Sequence, residues 1–180
     1  FDAMQYIILD MEWNQPWPGS YSAKKALPSP MRGEIVQIGA VRMTQEQQVA
    51  DEFQILIRPK YFKKMNRKVA SLTGIRDSLL REKGVSFPEA AAQFAAWCGE
   101  DCVFLTWGFD DITILRENLA VLAAICRTSD AIPPVLQAVE SAGVPIHHLL
   151  RCAPGLLMIV NDSQYAVSYT HLTLPTICSV

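Results

Sequence analysis

No apolar run in the 180-residue chain reaches the roughly 18 to 20 residues needed to cross a bilayer, and no charged n-region precedes an apolar h-region at its start. A soluble, cytoplasmic protein with no membrane partner is the expectation. Nor is there a surplus of one charge: 16 Lys and Arg face 18 Asp and Glu, a formal net charge of -2. This argues against a protein that coats nucleic acid through general basicity, but not against an enzyme that grips a few nucleotides through metal ions. The five cysteines are odd in number and form no Cys-x-x-Cys, so neither a disulfide framework nor a zinc knuckle is indicated, and they read as mostly buried thiols. What is present is ordinary globular composition, 50% apolar and 19% charged, in a chain of single-domain size.

The stretch with most chemical content is Tyr6 to Trp13, YIILDMEW. Four apolar residues running into Asp-x-Glu make a buried strand whose exit carries two acids. Side chains alternate along a strand, so Asp10 and Glu12 share a face and Met11 points to the other. Side-by-side carboxylates repel unless a proton or cation joins them, and oxygen-only ligands suit Mg²⁺ or Mn²⁺. The plainer reading, a buried strand reaching water, fits this segment as well.

A loop of about 18 residues, rich in Pro, Ser and Gly, follows from Asn14 to Arg32. Glu34–Met43 and Asp51–Pro59 read as strands joined by a polar turn at Thr44–Gln48, with Gly39 marking a bulge or a close backbone approach. Three strands with short links suggest an antiparallel meander. Residues 60–68 carry Lys60, Lys63, Lys64, Arg67 and Lys68 with Tyr61 and Phe62 interleaved. A solvated face is the commoner origin of such a run; contact with phosphates is the other. Helical patterns then occupy Val69–Leu72, Asp77–Arg81 and Phe87–Cys98, the last with Ser86 as N-cap, Pro88 in its first turn and Gly99 at its end. Cys102–Trp107 is a further buried strand, and a helix starts at Asp110 or Asp111 and runs to about Ile125. The order predicts an α/β domain with a mixed sheet. Asp110 and Asp111 stand where strand gives way to helix, a common place for α/β sites, although an N-cap and a helix-dipole partner would use the same residues.

Taken together, ILDMEWNQ, GEIVQIGAV, ASLTGI, SFPEAAAQFAAW and LTWGFDDITIL resemble the DEDDh branch of the DEDD 3′-5′ exonucleases, and within it the KapD-like stand-alone bacterial enzymes. The resemblance spans about residues 5–119, with the patches in the family's order. It implies a ribonuclease H-like fold, a mixed sheet with an antiparallel meander flanked by helices, C-terminally incomplete in this chain. It also implies two divalent ions, Mg²⁺ or Mn²⁺, held by Asp10, Glu12 and Asp111, with Asp110 the less suited acid. Met11 and Trp13 would contact the terminal nucleotide, Met11 partly through its backbone. Thr73 would pack on the terminal base and sugar, and Trp13, Trp17 and Trp107 would stack on unpaired bases or belong to the core. Two ions roughly 3.5 to 4 Å apart can activate water and stabilise the departing 3′ oxygen. The implied partner is the 3′ end of single-stranded RNA or DNA.

The family's third motif, His followed five residues later by Asp, is not met. Five residues beyond His147, His148 and His171 stand Cys152, Ala153 and Thr176, and Asp162 is the sole acid after Glu140. Residues 167–176, VSYTHLTLPT, match one reading frame of a transposon-type sequencing adapter. The expectation is therefore an exonuclease domain over residues 4–166, probed by comparison with the source DNA, and an artefactual tail over 167–180. The alternative function is a catalytically silent module of the same fold that holds nucleic-acid 3′ ends or a protein. Phosphatases that begin on a buried strand with an Asp nucleophile need a second Asp and usually a Thr where this chain has Glu12 and Asn14.

Overall fold

The strand carrying the two acids lies at the centre of the sheet. A computed structural model of the chain describes residues 5–21, 23, 26–99, 102–128 and 157–159. In order these form β1 (Gln5–Asn14), β2 (Glu34–Met43), β3 (Val49–Leu56), α1 (Arg67–Thr73), α2 (Asp77–Lys83), α3 (Phe87–Cys98), β4 (Cys102–Trp107), α4 (Asp110–Thr128) and β5 (Leu157–Ile159). The sheet order is β3-β2-β1-β4-β5. The β1–β2 and β2–β3 pairs are antiparallel, and β1–β4 and β4–β5 are parallel. This is the meander joined to an α/β half that the sequence predicts, a mixed ribonuclease H-like sheet flanked by helices. The expected domain end at 166, the tail over 167–180, the three histidines and Asp162 lie outside the described residues.

Alternation along β1 divides the molecule. Ile7, Leu9 and Met11 turn into one core with Ala91 and Phe94 of α3, Phe104 of β4 and Leu115 and Leu119 of α4. Each of these side chains but that of Ala91 contributes about 1.5–3 kcal/mol by leaving water. Phe53, Phe94, Trp97 and Phe104 form a chain of ring contacts through that core, centroids 5.4 to 6.3 Å apart. On the opposite face Val36 packs with Met65, Ile75 and Leu80 from the α1–α2 side.

The helix ends follow their sequence signals. Ser86 Oγ accepts from the Glu89 N–H, Asn66 Oδ1 accepts from the Lys68 N–H, and Gly74, at φ 73°, ends α1 in the left-handed region. Two expectations need correction. No bulge falls at Gly39, which pairs directly with Asp10, and a Cβ there would meet the Asp10 carbonyl oxygen at an ordinary 3.5 Å. The register instead breaks between Glu12 and Trp13, where Val36 is the extra residue on β2. Asn14, expected at the head of a loop, is the fully buried last residue of β1. In addition, β3 ends at Leu56 rather than Pro59, and α1 begins inside the basic run, at Arg67.

Candidate active site

The site forms where β1 outlasts its parallel neighbour. Pairing between β1 and β4 runs from Gln5↔Cys102 to Ile8↔Leu105 and then stops. Gly108, at φ 96°, turns the chain out of β4 into α4. Beyond Ile8 no described strand pairs with the β4-facing edge of β1. The Met11 N–H instead donates to Asp111 Oδ1 at 2.9 Å. An acid from the first turn of α4 thus replaces a missing strand partner and lies beside Asp10 and Glu12.

All three carboxylates line one cleft of ≈ 420 Å³, with Met11, Trp13, Asn66, Lys68, Val69, Leu72, Thr73, Trp107 and Asp110. Burial, and secondarily the Asp111 charge, pushes Asp10 up to about 7 from an ordinary 3.8. Burial followed by the charges of Asp10 and Asp111 pushes Glu12 up to about 8. Asp111 rises to about 6 through burial, restrained by the N–H of Met11 and by its own. Three acids that oppose one another's ionisation form a cluster that a cation would relieve. Among the described residues no three His, Cys, Asp or Glu side chains close on an ion by themselves. A hard ion held here would complete its shell from water and phosphate oxygens, the habit of Mg²⁺.

The two adjacent acids of α4 are not equivalent: Asp111 is buried and bonded to β1, whereas Asp110 is exposed. Met11 is 3% exposed with its side chain in the core, so only its backbone borders the cleft, and its N–H is taken by Asp111. Trp13 is half-buried and packs on the core, its indole so close to Gly33 that a Cβ there would collide with Cδ1. Trp107 and Trp17 are 46% and 42% exposed, and Trp17 is not among the residues lining the cleft. Thr73 donates its hydroxyl to the Val69 carbonyl and accepts from the Ile75 N–H, which fixes the end of α1 at the cleft wall.

Three polar residues escaped the sequence reading. Asn14 donates to the carbonyls of Phe62 and Lys64 and accepts from the Asn66 N–H. Glu34, its register partner, accepts from the N–H groups of Lys60, Tyr61 and Phe62. Asn118 accepts from the Ile35 N–H and donates to Gly33 and Ile114, tying α4 to the start of β2. Only Asn118 carried a signal, standing at helical spacing from the buried Ile114, Leu115 and Leu122; Asn14 falls out of phase with the buried Ile7, Leu9 and Met11.

The model of the RNase_T exonuclease family matches residues 8–140, well over half of the chain. The chain belongs to this exonuclease family. That membership places it in the DEDD exonuclease superfamily. The probable 3′-5′ exonuclease KapD of Bacillus subtilis (strain 168) is 27% identical over 113 residues, 62% of this chain and 51% of that protein. The chain thus spans about half the length of that relative. Among solved structures, a 3′-exonuclease described in 3′-end-specific recognition of a histone mRNA stem-loop superposes with a TM-score of 0.53 at 18% identity, covering 71% of this chain and 43% of its own. Exonuclease I of E. coli in complex with a dT13 oligonucleotide gives 0.50 at 15% identity, covering 67% and 24%. At these identities the structures speak for a shared fold.

Proposed function

We propose that the chain is a metal-dependent 3′-5′ exonuclease domain acting on single-stranded nucleic acid, with Asp10, Glu12 and Asp111 as the carboxylates that hold Mg²⁺ or Mn²⁺. The observation that carries this reading is the meeting of these three acids, from two elements about 100 residues apart, in one cleft where each is pushed towards its neutral form. Divalent ions bound there would supply an activated water and stabilise the leaving 3′ oxygen. The protein's own part is to hold the acids. Asp111 is kept from turning into solvent by its bond to the Met11 N–H. Asp10 and Glu12 are fixed by the pairing of β1 with β2, Asp10 opposite Gly39 and Glu12 opposite Gln37. Thr73, Leu72 and Val69 from α1 and the exposed Trp107 offer an apolar wall for a terminal base and sugar.

A second reading, binding of 3′ ends without hydrolysis, is favoured by the absence from the sequence of any His five residues before an Asp. The two readings divide on one assay. A 5′-labelled oligonucleotide is incubated with Mn²⁺ or EDTA, with the parental chain and with Asp10→Ala. Metal-dependent shortening that Asp10→Ala abolishes supports the exonuclease. Binding without shortening, in a version of the protein carrying an in-frame His-x4-Asp, defeats it.

A further inference from the structure

Residues 60–68, KYFKKMNRK, hold five cations and no acid in a chain whose net charge is -2. Lys60, Lys63, Lys64, Arg67 and Lys68 are all exposed, and among the described residues none of them makes an ion pair. Lys60 Nζ lies 5.5 Å from the Tyr61 ring centroid. A solvated surface run of this kind has no reason to be rigid. This one is anchored along its length. The Glu34 carboxylate accepts from three successive N–H groups, of Lys60 (2.6 Å), Tyr61 (2.9 Å) and Phe62 (2.6 Å). Asn14 donates to the carbonyls of Phe62 (2.7 Å) and Lys64 (2.9 Å) and accepts from the Asn66 N–H (2.8 Å). Asp77 Oδ1 accepts from the Met65 N–H at 2.8 Å. Phe62 and Met65 are 2% and 4% exposed, so the segment hangs inward by its apolar side chains while its lysines stand in water.

Two features connect this segment to the cleft. Asn14, its main anchor, follows Glu12 by two residues on β1, so strand and segment share one rigid support. Asn66 and Lys68 themselves line the cleft, and Lys64 is two residues from Asn66, within about 7 Å of chain. An acidic floor is therefore bordered on the α1 side by Lys68, and the exposed Lys64, Lys63 and Lys60, which make no ion pair among the described residues, precede it along the anchored segment. The floor repels a polyanion unless metal is bound, whereas the border attracts it unconditionally.

We infer that Lys60, Lys63 and Lys64 form a phosphate-binding track for the part of a single strand that trails behind the 3′ end in the cleft. This rests on the reading of the cleft as an exonuclease site. The track reads no sequence; it positions the strand and makes affinity steeply salt-dependent.

The test is fluorescence anisotropy with a 5′-fluorescein 20-nucleotide oligo-dT in EDTA, between 50 and 200 mM KCl. It compares the parental chain with the triple variant Lys60→Gln, Lys63→Gln, Lys64→Gln, and with the matching triple Arg variant. The anchors act on the backbone of this segment, so the substitutions leave them in place. At 50 mM KCl the Gln variant is expected to bind about tenfold more weakly, with a log Kd against log salt slope shallower by about 2, three single-strand phosphate contacts at roughly 0.7 each. The Arg variant is expected to regain both. Equal affinity and slope in parental and Gln proteins would overturn the track, as would no binding by the parental chain. Displacement of the oligonucleotide by polyglutamate as readily as by unlabelled oligo-dT would also overturn it, marking a general polyanion surface. The outcomes separate from those of the nuclease assay. Metal-dependent shortening with no Lys effect rejects the track alone, and a Lys effect without shortening rejects the nuclease alone.

Discussion

The two halves of β1 have the same neighbour on one side and different surroundings on the other. Tyr6 to Ile8 are paired to both β2 and β4, while Leu9 to Asn14 are paired, among the described residues, to β2 alone. The doubly paired half satisfies its backbone by strand exchange and spends its side chains on packing. The singly paired half leaves backbone groups open, and side chains answer them: Asp111 takes the Met11 N–H, and the turn carried by Gly108 makes room for a cleft. The site is a consequence of strands diverging, which is why α/β sheets place ligands beyond their carboxyl ends.

This contrast predicts that substitutions in the two halves will separate stability from activity. The largest effect is expected from Ile7→Ala, fully buried in the main core and paired on both sides, which should lower unfolding stability by about 2–5 kcal/mol in urea titration and leave metal dependence intact. A loss below about 1 kcal/mol would show that the face is poorly packed. Asp10→Asn should do the reverse. Activity on an oligonucleotide should fall by more than about 100-fold, beyond the effect typical of a residue behind a metal ligand. The melting temperature should hold or rise, because one of three mutually repelling acids is gone. A simultaneous collapse of stability would refute the separation.

Asn14→Ala comes next, at about 1–3 kcal/mol, because it strands two carbonyls and an N–H that are otherwise satisfied. It should also weaken oligonucleotide binding by loosening residues 60–66, which a salt titration would register. The smallest effect concerns pH. Burial pushes Asp10, Glu12 and Asp111 up to about 7, 8 and 6 from their ordinary values of 3.8 to 4.5, so in the absence of metal the native state binds more protons than the unfolded one across that interval. Their contribution to stability is therefore present below pH 4 and is lost as pH rises towards 8. In EDTA these groups should lower the melting temperature between pH 5 and pH 8, and Mn²⁺ should raise it more at pH 8 than at pH 5. Identical pH profiles with and without Mn²⁺ would break the link between acids and cation.

The strands of the meander and the ends of α3 were legible because each has a local signature, alternation in YIILDMEW and caps at Ser86 and Gly99, whereas the position of β1 between β2 and β4 was not, and the preference for Asp111 over Asp110 came from the family resemblance. The bulge opposite Trp13 was not legible either, since register depends on pairing between strands, and Gly39 offered a more conspicuous but irrelevant cue. Asn14 and Glu34 were missed for a related reason. Their partners are backbone groups about 26 to 52 residues away, and a buried polar residue that satisfies distant backbone carries no local pattern. The basic run looked like surface because its anchors lie on other elements. Its rigidity emerges only when β1 and β2 are laid beside it.

Where the pairing of β1 with β4 ends, Asp10, Glu12 and Asp111 come together as a site for a cation. Isothermal calorimetry of Mn²⁺ binding at pH 8, on the parental chain and on Asp111→Asn, tests it most directly. Saturable binding is expected for the parental chain and binding at least tenfold weaker for the variant, about 1.4 kcal/mol or more. Equal Mn²⁺ affinity in both proteins would contradict it.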